Sequence, residues 1–213
     1  MHAGWIWGAA LLLYGAFSLW YNNLRGPLGA EEIDRFLERA QASSNVEPAR
    51  LETLRAFLEA DDGGEFFMLN LVRLQPGPVA RPGSGEAQPA RRVLEGYTGH
   101  FMPALFARAG HPALFGSAAG GYVEHWGVEP DPGWSFAGVI RYRSRRDMME
   151  LATDPAFEPA HVFKVAAMAS TLAFPLRPGV VVAGPRVGLA LLLALLAALG
   201  HLALQAARAP ALR

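Results

Sequence analysis

Hydrophobic positions are spread unevenly along the chain. From Ala3 to Tyr21 no residue is charged, and Ile6, Leu11, Leu12, Leu13, Phe17 and Leu19 alternate with Trp5, Trp7, Trp20 and Tyr21 toward the two ends. As a helix this run is about 28 Å long, near the thickness of a bilayer's hydrocarbon core. Its terminal aromatics suit the headgroup level. It lacks a positive leading region and a small-residue cleavage site, so it predicts an uncleaved anchor over residues 1–24. A second run, Val187 to Leu204, has His201 as its polar member and predicts another span within 179–213. Two spans put both termini on one side. Arg25, Arg35, Arg39, Lys164, Arg177 and Arg186 lie on the domain side, against Arg208 and Arg213 outside, which predicts a cytoplasmic domain.

Between the runs the periodicity changes. Ile33, Phe36, Leu37 and Ala40, then Leu51, Leu54, Phe57 and Leu58, recur at helical spacing and predict a helical pre-domain over 25–61. Phe66 to Leu74 reads as a buried strand with Asn70 as its uncharged polar member. Pro76 to Pro89 reads as a loop. Arg91 to Ala109 is helical in period, with Leu94, Tyr97, Phe101 and Leu105 on one side and Gly110 fitting the position just past its end. Ala113 to Ala118 predicts a strand, with Tyr122 to Trp126 as its expected partner. Trp134 to Tyr142 alternates as a half-buried strand. Ser144-Arg145-Arg146-Asp147 has the form of a capping box opening a helix. Asp154-Pro155 starts another, and Thr171 to Leu176 is a last strand. From Phe66 the order is βαββαβ, the ferredoxin-like α+β pattern, assigned to residues 62–178. Helices cover one sheet face, and the other predicts a homodimer, sheet against sheet.

Several segments together carry a resemblance. They are Phe67-Met68-Leu69-Asn70-Leu71, Tyr97 followed by Gly110, Val139-Ile140-Arg141-Tyr142-Arg143-Ser144-Arg145, and Asp154-Pro155-Ala156-Phe157 with His161. This set resembles a family of uncharacterised small proteins in the dimeric α+β barrel superfamily, over about residues 62 to 176. The resemblance implies a homodimer whose sheets form a barrel, with a pocket between sheet and helices. That superfamily includes cofactor-free monooxygenases, lactone isomerases, haem-degrading enzymes and proteins without known activity, and fold does not select among them.

Composition narrows the function classes. The 213 residues carry 19 basic and 19 acidic side chains and no cysteine. No basic stripe predicts nucleic acid, and thiolate chemistry is excluded. Tyr97 and His100 are three apart on a helix, so they are candidate catalytic groups, one orienting a substrate and one moving protons. A packed tyrosine beside an edge histidine explains them as well. His161, with Lys164, either approaches the same pocket, ligates haem, or forms a solvated face. Asn70 addresses a ligand or ties down a loop. Candidate ligand-binding residues are therefore Asn70, Tyr97, His100 and His161. His111, Glu124 and His125 match no metal motif, so neither metal nor cofactor is expected. Arg141, Arg143, Arg145 and Arg146 read as a solvated strand end. Two functions fit: a membrane-anchored protein binding or converting a small hydrophobic molecule, or a non-catalytic accessory subunit of a larger membrane complex. Gly4 and Gly8, at G-x-x-x-G spacing, favour the latter.

Overall fold

The computed structural model describes residues 4–43, 48–181 and 184–207. It divides into two compact units, Arg25–Pro178 and the paired segments Met1–Leu24 and Gly179–Arg213. In the central unit, β1 (Phe66–Leu74) is followed by a ribbon of β2 (Pro78–Ala80) and β3 (Ala87–Pro89), then α4 (Ala90–Ala107), β4 (His111–Ser117) and β5 (Phe136–Tyr142). After these come α5 (Arg145–Ala152), a 3₁₀ turn at Pro155–Phe157, α6 (Glu158–Ala167) and β6 (Met168–Leu176). The four-stranded sheet has the order β4-β5-β1-β6 and every pair is antiparallel, the ferredoxin-like arrangement.

Strand register sorts side chains to two faces. Phe66 lies opposite Tyr142, Met68 opposite Ile140 and Val72 opposite Phe136. This face meets Val93, Leu94 and Leu105 of α4 and Ala167 of α6 in the core. The helices approach closely at Gly96, where a Cβ would come within 2.5 Å of the Phe163 ring. On the opposite face, Leu69 pairs with Phe174 and Leu71 with Leu172. The α4 terminus departs from expectation by one residue. Ala109, not Gly110, takes the left-handed conformation at φ 56°. The Gly110 N–H donates to the Leu105 carbonyl and the Ala109 N–H to the Phe106 carbonyl, a Schellman closure. Gly110 is needed for space instead, because a Cβ there would lie 2.4 Å from Leu105 and 3.0 Å from the Arg141 carbonyl.

Two further expectations are corrected. Residues 76–89 contain the β2–β3 ribbon, with Val79 paired to Gln88. Tyr122 to Trp126 is not a strand, and the partner of β4 is β5. The segment instead folds around Asp131, whose carboxylate accepts from the Tyr122 and Gly133 N–H groups at 3.1 and 2.9 Å.

The arginines after β5 are bound rather than solvated. Arg141 is 1% exposed; it donates to Glu65 at 2.6 and 2.8 Å and to the Ala109 carbonyl. Arg143 pairs with Asp147, whose N–H donates to the capping Ser144 hydroxyl. Arg145 lies 4.4 Å over the Phe57 ring and donates to the Phe57 carbonyl. Arg146 makes a two-toothed contact with Glu32 at 2.6 and 2.9 Å and also donates to the Gly26 and Pro27 carbonyls. These bonds draw α2 (Ala30–Ser43) and α3 (Pro48–Glu59) onto α5. Ile33, Phe36, Leu37, Leu58 and Met149 then share a core. The pre-domain helices are thus part of the central unit.

In the terminal unit, α1 (Gly4–Tyr21) runs antiparallel to α7 (Pro185–Ala206). Trp7 Nε1 donates to His201 Nδ1 at 3.3 Å near one end, and Arg186 donates to Asn22 Oδ1 at 2.6 Å near the other. Among the described residues one helix, α7, is long and apolar enough to cross a membrane, by length and composition, with a mean hydropathy of 2.4. The expectation of two flanking spans is therefore corrected. In α1 the Trp, Tyr and Gly residues and Ser18 dilute the aliphatic content. The argument for a cytoplasmic domain required two spans and falls with them. A Cβ at Gly4, Gly8 or Gly15 would meet nothing within 4 Å, so these glycines mediate no close approach here.

Replacing Arg146 with alanine should lower stability by about 3 kcal/mol, because Glu32 and two carbonyls lose their donor. Urea unfolding in mild detergent measures this. Gly96→Ala should cost about 1–3 kcal/mol by overpacking against Phe163 in the same assay.

Candidate functional site

The polar groups of interest gather where α4 meets α6. Gly96 has no side chain, so α6 lies close against this turn of α4 and Tyr97 is brought beside it. The Tyr97 ring stacks on Phe101 at 5.4 Å. His161 presents its edge to that ring at 6.5 Å, and Lys164 places its Nζ 5.4 Å from the ring centre. His161 and Lys164 stand one turn apart on α6, so both face the same tyrosine.

Electrostatics favour uncharged forms in this cluster. Burial pushes the Tyr97 phenol up to about 12. Lys164 is shifted down by burial and, secondarily, by Arg50. His161 is shifted down by burial and then by Lys164. Tyr142, beneath on β5, is shifted up by burial and by Tyr97. Among the described residues, neither the Tyr97 hydroxyl nor the Lys164 ammonium has a hydrogen-bonding or ionic partner. A phenol O–H, a lysine amino group and an imidazole together offer donors to a ligand carbonyl and an acceptor for a proton.

The predicted residues divide between two places. Tyr97 and His161 meet. His100 is exposed, with Nδ1 2.9 Å from the Gly96 carbonyl of its own helix. Three residues along a helix is an offset of about 60°, enough to turn His100 outward while Tyr97 turns in. Asn70 is half-buried on the helix-facing side of β1, where its amide nitrogen reaches the Met68 and Gly138 carbonyls at 3.0 and 3.4 Å. Its nitrogen thus bridges sheet backbone. Lys164 joins the site although its spacing to His161 fitted a solvated face equally well. Its distinguishing feature is a half-buried position against the Tyr97 ring, which the close approach of α4 and α6 supplies. A separate cleft of about 400 Å³ lies between the ribbon and α4, lined by Arg81, Gln88, Arg92, Glu95 and Gly96.

No protein-family model matches the chain, and no curated protein matches it. Two solved structures share the fold. One is the RPA0582 protein of Rhodopseudomonas palustris, a protein of unknown function, at 24% identity and a TM-score of 0.50, covering 61% of this chain and 94% of that one. The other is the methylated RPA0582 protein, at 24% identity and a TM-score of 0.51, covering 66% and 99%. At3g17210 from Arabidopsis thaliana matches at 14% identity and a TM-score of 0.36, covering 55% and 99%.

Lys164→Met tests the electrostatic reading. The folded state favours the neutral amine, so the unfolded chain binds more protons below the ordinary lysine value of 10.5. The variant should therefore be more stable than the parent at neutral pH. That gain should shrink as pH rises toward 10.5. Thermal unfolding across this range checks both the sign and the window.

Proposed function

We propose that the central unit forms a homodimeric α+β barrel that binds or converts a small hydrophobic molecule, held at a membrane by α7. The carrying observation is that Tyr97, Lys164 and His161 meet beside Phe101 and Phe163, and among the described residues none of the three has a side-chain hydrogen-bond or ion-pair partner. Tyr97 and Lys164 are half-buried and His161 is exposed, so the cluster is open to a ligand from the solvent side. A carbonyl or hydroxyl on an otherwise apolar molecule would satisfy them. In this reading Tyr97 and Lys164 orient that oxygen, and His161 is the group that exchanges a proton.

The dimer rests on the uncovered sheet face. Phe67, Leu69, Leu71, Leu114, Val139, Leu172 and Phe174 project there by register, and Leu114, Leu172 and Phe174 are 67, 45 and 41% exposed. The same face on a second copy offers an equally apolar surface, and the patch has few charges to oppose pairing. The accessory-subunit reading is supported by a different feature, the exposed apolar residues Val123, Trp126 and Val128 between β4 and β5.

Native mass spectrometry of the full chain in mild detergent, with an absorption spectrum of the same sample, tests the proposal. The expected species is a dimer carrying a reproducible small extra mass, lost in Tyr97→Phe and Lys164→Met. Phe174→Asp should give a monomer. A chain that arrives empty and bound to another polypeptide would move the assignment to the accessory subunit.

A further inference from the structure

The cleft beside the ribbon has a chemistry unlike the Tyr97 cluster. Arg92, Glu95 and Gly96 stand at i, i+3 and i+4 on α4 and share one face. Arg81 and Gln88 come from opposite ends of the ribbon's turn, which is closed by the Arg81 N–H donating to the Glu86 carbonyl at 2.8 Å. The Arg81 head is already positioned. It lies 5.6 Å over the Phe163 ring, and its Nη1 is 3.5 Å from Gln88 Oε1. Gln88 is itself held by donating to Glu86 Oε2 at 2.9 Å. A pre-placed guanidinium loses little freedom when it takes a planar or tetrahedral oxyanion.

The arginines of the cleft are paired differently from those around α5. Arg141, Arg143, Arg145 and Arg146 are each matched to a carboxylate. Among the described residues neither Arg81 nor Arg92 has an ion-pair partner, and Glu95 has none. Arg81, Arg92 and Glu95 line a volume of about 400 Å³, beside the Glu86 carboxylate that holds Gln88.

We propose that this cleft binds a small organic phosphate that also carries an amine or hydroxyl, with the phosphate on Arg81 and Arg92 and the donor on Glu95. Two guanidinium groups give the charge-assisted, forked contacts that phosphate oxygens accept. Glu95 discriminates, since it repels a bare anion and rewards one with a donor at the far end. The same chemistry occurs in free phosphate esters and in lipid headgroups.

The test is calorimetric titration of the full chain in non-ionic detergent with O-phosphoethanolamine. Inorganic phosphate, and sodium chloride at equal ionic strength, serve as comparisons. The expected result is saturable binding of phosphoethanolamine that chloride does not reproduce. Arg81→Gln and Arg92→Gln should each weaken it about tenfold or more. Glu95→Gln should weaken phosphoethanolamine while leaving inorganic phosphate as tight or tighter. Arg92 and Glu95 are exposed, so their variants keep the fold, and circular dichroism verifies it. Should Arg81→Gln unfold by losing Phe163, the other two variants decide. Repeating the titration in nanodiscs separates the sources. Loss of soluble-probe binding only when phosphatidylethanolamine is present assigns the site to headgroups, and retained binding assigns it to a free ester. A heat that chloride matches, or variants that bind like the parent, would overturn the proposal.

Discussion

The contact between Arg146 and Glu32 organises the central unit. One guanidinium on α5 binds a carboxylate on α2 with two teeth and takes two carbonyls from the segment that leads into that helix. Hydrogen bonding to Arg146 holds the Glu32 carboxyl below the usual carboxylate range. Desolvating such a pair is costly, so its value lies less in net stability than in fixing where α2 sits. Neighbouring arginines do the same for other elements. Arg145 holds the end of α3 through the Phe57 carbonyl, and Arg141 ties Glu65 to the turn after α4. The stretch from Arg141 to Arg146 thus gathers α2, the end of α3, Glu65 and the turn after α4.

That gathering prepares the candidate site indirectly. With α3 fixed, Arg50 lies near enough to add its charge to the burial already acting on Lys164. Gly96 then lets α6 bring Lys164 and His161 to Tyr97. Position comes from backbone approach and ion pairing. The cluster itself contributes the groups left unpaired.

Much of the fold was legible in the order of residues. A continuous apolar run marked β1, alternation marked β5, and Ser144 with Asp147 marked the start of α5 through the cap it makes. The βαββαβ order of elements anticipated the ferredoxin-like sheet, because the handedness and adjacency rules for connections leave few alternatives. Other features needed partners far along the chain. The acids that bind Arg141, Arg145 and Arg146 are Glu65, Asp61 and Glu32, and no local pattern links them. Tyr122 to Trp126 had apolar content suited to a strand, but Asp131 captures its backbone. His100 and Tyr97 satisfied the spacing rule, yet a helical offset parts them. The Arg81–Arg92 cleft exists only because a proline- and glycine-rich stretch pairs into a ribbon.

The helix pair α1 and α7 joins Trp7 to His201, residues 194 positions apart. In chain order α1 precedes the central unit and α7 follows it. A flexible tether of such length would make closure slow, though each doubling of a loop adds only about 0.6 kcal/mol of entropy. A folded insert changes that search, because the two helices are then joined by a compact body rather than by a long coil. Folding of the domain first thus makes it easier for the two helices to find each other than it would be across an unfolded chain of the same length.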